Sequence, residues 1–297
     1  MKKALVILLF VHLGCAGNKT TNETNFKHPT PPGTVEIAPN LYCDQFEISN
    51  IDWKEYVYWV KRVFGDSTPE YFASLPDTTV WEKLDSCYHI YKQVYFSHPS
   101  YNSYPVVGVS HQQSLEYSIW RSDRVFEQLL IRQNKISLDQ NLDPKTYFTI
   151  DRYYNRTLKT IIDPELYLFY PNYELPSRED RASILISVDS LNFSKLEKCK
   201  TKKCRDQFVN YPKMQSDIDS CSSAIPMIST GDVQSNLFPI YNLRGNVSEM
   251  LSQPDLQCGG SWNSKRGDVI KNDLQNNLMP SATIGFRNIC RWQQWRK

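Results

Sequence analysis

Apolar residues recur at helical spacing over two long stretches and at strand spacing only in short runs, and this distribution limits what the chain can fold into. Trp53, Tyr56, Val57, Val60 and Phe64 fall on one face of a helix that Asn50 would cap and Gly65 would close. Leu115, Ile119, Trp120 and Leu130 mark a second helix with Ser110 at its N-cap, and Ser177 in ELPSREDR would cap a short third one. Residues 36–49 (EIAPNLYCDQFEIS) read as one or two strands and YPVVGVS as another; beyond Ser220 the chain reads as loops and short strands. Strands and helices do not alternate, so a doubly wound parallel sheet is excluded. An α+β fold with much irregular structure is expected.

The first fifteen residues, MKKALVILLFVHLGC, pair two lysines with an apolar run too short to span a bilayer, the pattern of a secretory signal. The LGC ending resembles a bacterial lipobox, which would make Cys15 the lipidated mature N-terminus. The polar, Pro- and Thr-rich residues 16–33 read as a tether and 34–297 as a single domain. The expected place is therefore the bacterial cell envelope, with the protein lipid-anchored, in the outer membrane, and facing periplasm or surface. Lys+Arg number 34 and Asp+Glu 32; loss of Lys2 and Lys3 brings the mature chain to zero. That balance excludes a nucleic-acid binder held by bulk charge.

Export implies an oxidising compartment, so some of the remaining seven cysteines should pair. Cys199 and Cys204, in KCKTKKC, are close enough for a local disulfide loop. The lysines around them oppose a zinc site there.

Five segments, in order, resemble the formylglycine-generating-enzyme or sulfatase-modifying-factor domain family. YCDQFEISNIDWKEYV is similar to D-x-x-E-V-T-N-x-x-Y-x-x-F-V, and YPVVGVSHQQSLEYSIWRS to P-V-x-x-V-S-W-x-D-A-x-x-Y-C-x-W. ELPSREDR resembles R-L-P-T-E-A-E-W, and NLFPIYNLRGNVSEML resembles N-x-F-G-L-Y-D-M-x-G-N-V-W-E-W. CGGSWNS and IGFRNICR match the closing R-G-G-S-W and G-F-R motifs. The resemblance runs from about Pro32 to Arg291 and implies a complex variant of the C-type lectin fold. Residues 66–103 and 135–173 then read as insertions.

Oxidase members of the family activate oxygen through two cysteines just after the Gly-Gly-Ser motif, as soft thiolates that bind copper. Here Ser264 and Val269 stand at those positions, so no copper is expected. The iron-dependent branch uses an H-x3-H-x-E pattern that His89, His98 and His111 do not make, so no iron is expected either. The resemblance also implies structural calcium. Asn242, Gly245, Val247 and Glu249 match one family site, in which an amide oxygen, two backbone carbonyls and a carboxylate supply hard oxygen ligands. Asn192, Phe193, Asp206 and Phe208 match a second.

Tyr88, Tyr91, Tyr95, Tyr101, Tyr147, Tyr153 and Tyr154 enrich the insertions and suggest either recognition loops or packing onto the core. Trp292 and Trp295, with Arg287 and Arg291, suggest an interface or a solvated end cap; Trp262 and Phe286 are expected in the core. These readings converge on a non-catalytic envelope lipoprotein that binds envelope proteins, similar to the gliding-motility and type IX secretion lipoproteins. The alternatives are a metal-dependent enzyme with an altered site and a glycan-binding module.

Overall fold

The computed structural model describes residues 28–140, 142–163, 165–196, 227, 229, 239–264, 275–276 and 279–296. Its strands are β1 (Thr34–Ala38), β2 (Leu41–Asp44), β3 (Phe169–Glu174), β4 (Ser248–Met250), β5 (Leu256–Cys258), β6 (Gln275–Asn276), β7 (Ile284–Gly285) and β8 (Ile289–Gln294). The α-helices are α1 (Asn50–Phe64), α2 (Pro69–Ser74), α3 (Tyr91–Val94), α4 (His111–Arg132), α5 (Ile150–Tyr154) and α6 (Arg178–Leu196). One antiparallel sheet runs β1-β2-β8-β3, and a second runs β6-β5-β4-β7 with β4 and β7 parallel. The fold is α+β.

Residues 36–49 contribute to two strands, joined at Asn40, which takes the left-handed conformation that Asn tolerates (φ 58°). Its amide is locked to the backbone of Trp292, with Nδ2 donating to the carbonyl at 3.0 Å and Oδ1 accepting from the N–H at 2.8 Å. The hairpin turn therefore also fixes the last strand. The N-terminal segment docks earlier than composition suggests. Pro29 and Pro32 offer their carbonyls to Trp292 Nε1 and Arg121 Nη2 at 3.0 and 3.2 Å, and His28 stacks on Trp292.

α1 forms as expected, but Ser49 and not Asn50 is its cap. Ser49 and Asp52 form a capping box, the Ser49 N–H donating to the Asp52 carboxylate at 2.9 Å. The Asn50 amide instead donates to the carbonyls of Tyr95 and Tyr101 at 3.3 and 2.9 Å, which pins residues 95–101 to the start of the helix. Ser110 and Gln113 make a second capping box on α4. Leu130 of α4 is buried, Leu115 and Trp120 are half-buried, and Ile119 faces solvent at 63% exposure. α6 is longer than expected, with 19 residues, because Ile184 and Val188 carry its apolar face onto Leu41, Cys43 and Ile289.

YPVVGVS is not a strand. Pro105 makes one bridge with Ser49, while the Val106 and Gly108 N–H groups donate to Ile48 and Ser281. Its partners lie on different segments, so no ladder develops, and Pro105 removes one donor.

The stretches read as insertions fold onto the core. Trp81, Tyr88, Tyr91 and Tyr95 pack around buried Trp262. Phe148, Tyr153 and Tyr154 pack on Phe126 of α4, and Tyr154 stacks on Trp295 at 4.6 Å. Five of the seven insertion tyrosines are buried, with Tyr101 and Tyr147 half-buried, so they are chiefly core groups. Trp292 is buried and Trp295 half-buried, so the end of the chain is a packed strand and not a projecting anchor. Among the described residues no helix is long and apolar enough to cross a membrane.

Gly108 sits where these layers meet. Its φ is +75° and a Cβ there would lie 2.3 Å from the Asp77 carbonyl oxygen, a backbone atom that cannot swing away. Gly108→Ala is expected to cost about 3 kcal/mol or more in denaturant unfolding, whereas Ile119→Ser on the exposed side of α4 should stay within about 0.5 kcal/mol.

Candidate functional site

The short strand β4 carries a glutamate into the deepest part of the molecule. Glu249 is 1% exposed, flanked by Cys258 of β5 and Gly285 of β7. Just beyond β7, Arg287, fully buried, places Nε 2.6 Å and Nη2 2.5 Å from Glu249 Oε1. Arg181, in the first turn of α6, donates from Nη1 to Oε2 at 2.7 Å and from Nη2 to the Leu243 carbonyl. Arg287 also donates to the carbonyls of Tyr241 and Asp44 at 2.7 and 3.1 Å. Glu47 completes the cluster, its oxygens accepting from the amides of Asn242 and Asn246 at 3.1 and 2.9 Å, with Arg287 4.0 Å away. Burial pushes the Glu47 carboxyl up to about 7, against the pull of Arg287 and with the repulsion of Glu249 adding to the rise. Desolvation opposes the Arg287 charge, but Glu249 and Glu47 outweigh it and hold the guanidinium above its ordinary range.

Beside this cluster a second buried pair joins the sheet to α4. Arg121 clasps Asp44 with two bonds of 2.7 and 2.8 Å, and the Asn288 N–H donates to the same carboxylate at 2.9 Å.

The loop leading to Glu249 is the segment matched to a calcium site by the resemblance. Asn242, Gly245 and Asn246 are all left-handed (φ 55°, 79° and 59°), and the Asn242 amide oxygen is buried without a partner. The charges do not fit. Calcium takes six to eight oxygen ligands; here guanidiniums engage both oxygens of Glu249, and the Leu243 carbonyl is spent on Arg181. Two carboxylates already face two guanidiniums, and Glu47 is half protonated near pH 7. A dication would therefore enter a buried region that is neutral to positive. Asn192 and Phe193 lie in a part of α6 whose side chains are not described, and Asp206 and Phe208 lie outside the described residues.

At the oxidase position, Gly259 and Gly260 are left-handed (φ 91° and 67°) and turn the chain so that Trp262 packs fully buried, donating from Nε1 to the Ala282 carbonyl at 3.2 Å. The Ser264 hydroxyl accepts from the Ser261 N–H at 2.9 Å and so closes the turn. Val269 lies outside the described residues, as do Cys15, Cys199 and Cys204. Cys43, Cys258 and Cys290 are free and buried. Burial pushes the Cys43 thiol up to about 12 and raises the other two as well, so none is a thiolate at neutral pH. Cys87 is disulfide-bonded.

The family described as the sulfatase-modifying factor enzyme 1-like domain matches residues 9–291. The chain belongs to this family. No curated protein matches. A solved structure titled "Crystal Structure of CarF" is similar over 84% of this chain and 86% of its own, at 14% identity and a TM-score of 0.41.

Within the sulfatase-modifying-factor fold, His89 and His111 each contact a backbone carbonyl, of Leu84 at 3.1 Å and Leu251 at 2.8 Å. His98 caps a turn by accepting from the Ser100 N–H. Among the described residues no three His, Cys, Asp or Glu side chains converge as a metal-holding group. Sequence reasoning assigned no role to Glu47, and it read Arg181 only as part of a motif. The available signals were the glutamate of the opening D-x-x-E motif and an arginine where the family motif has tryptophan.

Two outcomes are expected. Folded Glu47 keeps its proton up to about pH 7 whereas the unfolded chain releases it near 4.5, so folding takes up protons in that interval and stability falls as pH rises through it. Asp123, pushed up to about 6 by burial, adds to the fall. Glu47→Gln should flatten the slope of unfolding free energy between about pH 4.5 and 7 without abolishing it. Arg181→Met, which leaves Glu249 half paired, should cost about 3–5 kcal/mol in the same unfolding assay.

Proposed function

We propose that this chain is a non-catalytic member of its family, a lipid-anchored protein of the bacterial envelope that binds other envelope components as part of an assembly of the gliding-motility or type IX secretion kind. The observation that carries the non-catalytic reading is the state of the thiols. Ser264 stands at the first oxidase cysteine position and spends its hydroxyl on closing the turn, and the three free described thiols are buried and protonated. A hydroxyl does not replace a thiolate as a ligand for copper or as a handle for a substrate thiol.

The anchor follows from the signal and Cys15. The polar, Pro- and Thr-rich sequence after Cys15 would serve as the tether that holds the domain off a membrane. Envelope proteins within reach of that tether are the partners of this reading.

The test is mild cross-linking of the native envelope, detergent extraction through a tagged copy of the full chain, and mass spectrometry of the captured material with metal analysis on the same sample. The expected result is a diacylated Cys15, a stoichiometric envelope protein and no copper or iron. Copper or iron at one equivalent would overturn the non-catalytic reading. A soluble, unacylated chain that retains glycan and captures no protein would replace it with that of a carbohydrate-binding module.

A further inference from the structure

α1 and α4 cross so that their outer faces leave a cleft of about 490 Å³, closed on one side by the start of α2 and the Tyr147 loop. Its walls are aromatic. Trp59 meets Tyr147 edge-on at 5.1 Å, Phe64 meets Tyr147 at 6.0 Å, and Trp120 joins Tyr56 and Trp59 at 5.3 and 6.4 Å. Its charges are of one sign. Glu70, Glu116 and Asp123 line it and no lysine or arginine does, in a chain whose overall charge is close to zero. The indole N–H groups of Trp59 and Trp120 have no partner. Glu116 receives only the neutral Gln112 amide at 3.0 Å, which leaves its charge uncompensated, whereas the deeper Asp123 receives the Ile150 N–H at 2.8 Å and is drawn toward its neutral form by burial against the pull of Arg124 and Arg152.

Aromatic faces attract cations through their quadrupole, and carboxylates at the rim add to that attraction. The molecule already uses these rings in this way. On the side of the neighbouring cavity, the Arg124 guanidinium rests 4.9 Å from the centre of Trp59, tied to Glu127.

From this juxtaposition of five aromatic side chains and three carboxylates, we propose that the α1–α4 cleft is a binding site for an alkylammonium group. The occupant is a small amine or quaternary ammonium, or the side chain of a lysine. The site goes beyond the scaffold reading and does not depend on it, since binding there needs neither the N-terminal anchor nor the Gly-Gly-Ser turn.

The full-length protein, purified in detergent, is titrated with choline, with butylammonium as a lysine side-chain mimic, and with 3,3-dimethylbutan-1-ol, the neutral isostere of choline. Tryptophan fluorescence and calorimetry report binding. The expected result is saturable binding of choline or butylammonium, with the neutral alcohol at least about tenfold weaker. The stronger of the two cations identifies the source. Glu70→Gln with Glu116→Gln should weaken the cation several-fold and leave thermal unfolding unchanged, since both carboxylates lie outside the core. Three results would overturn the proposal: no saturable binding of either cation, equal binding of the isostere, or affinity unchanged in the double variant. Maltose binding in place of the cations would likewise overturn it.

Discussion

Glu249 is the constraint to which much of the rest answers. A carboxylate at 1% exposure is tolerable only if its charge is met, and the chain meets it with guanidiniums from two distant places, the first turn of α6 and the segment between β7 and β8. Those arginines also donate to the carbonyls of Asp44, Tyr241 and Leu243. One ion-pair cluster therefore ties both sheets, α6 and the 241–249 loop together. In a fold with strands of two to six residues, where ladders are short, such side-chain bonding does what long strands do elsewhere.

The same cluster takes up the polar groups of the 242–249 loop. The resemblance implies a cation loop there, and the left-handed turns and inward-facing amide fit that shape. What differs is charge. Arg181 stands at the tryptophan position of the ELPSREDR motif and brings a fixed positive group to Glu249, a covalently attached cation where the family motif implies a mobile one. Arg121 and Asp44 repeat the device at lower depth between α4 and β2. Around these ionic centres the aromatic residues fill volume, and the tyrosines of both inserted stretches act as core groups under the helices and not as loops reaching outward.

Much of this was legible before any coordinates. The two long helices follow from the spacing of Trp53, Tyr56 and Val60 and from the run between Ser110 and Leu130, and the capping box at Ser110 lies within four residues of chain. The strand character of residues 36–49 and the family could be read the same way, because each depends on neighbours or on motifs kept in order. Reading failed where a residue had a choice between near and far partners. Asn50 and Ser49 are both good caps by composition; Ser49 took the role because Asn50 is claimed by two carbonyls about fifty residues away. YPVVGVS has strand composition, but its bonds go to three different segments.

Sequence alone determined the class of fold, the family and the absence of a thiol at position 264, all properties of residue type and local order. Tertiary structure alone decided the fate of the charged groups. Whether Glu249 meets calcium, water or arginine depends on residues 68 and 38 positions away, and whether Trp59 and Trp120 are core or cleft depends on how α1 crosses α4. Electrostatic and packing energies are set by distance in space and by the loss of water, and neither quantity is written along the chain.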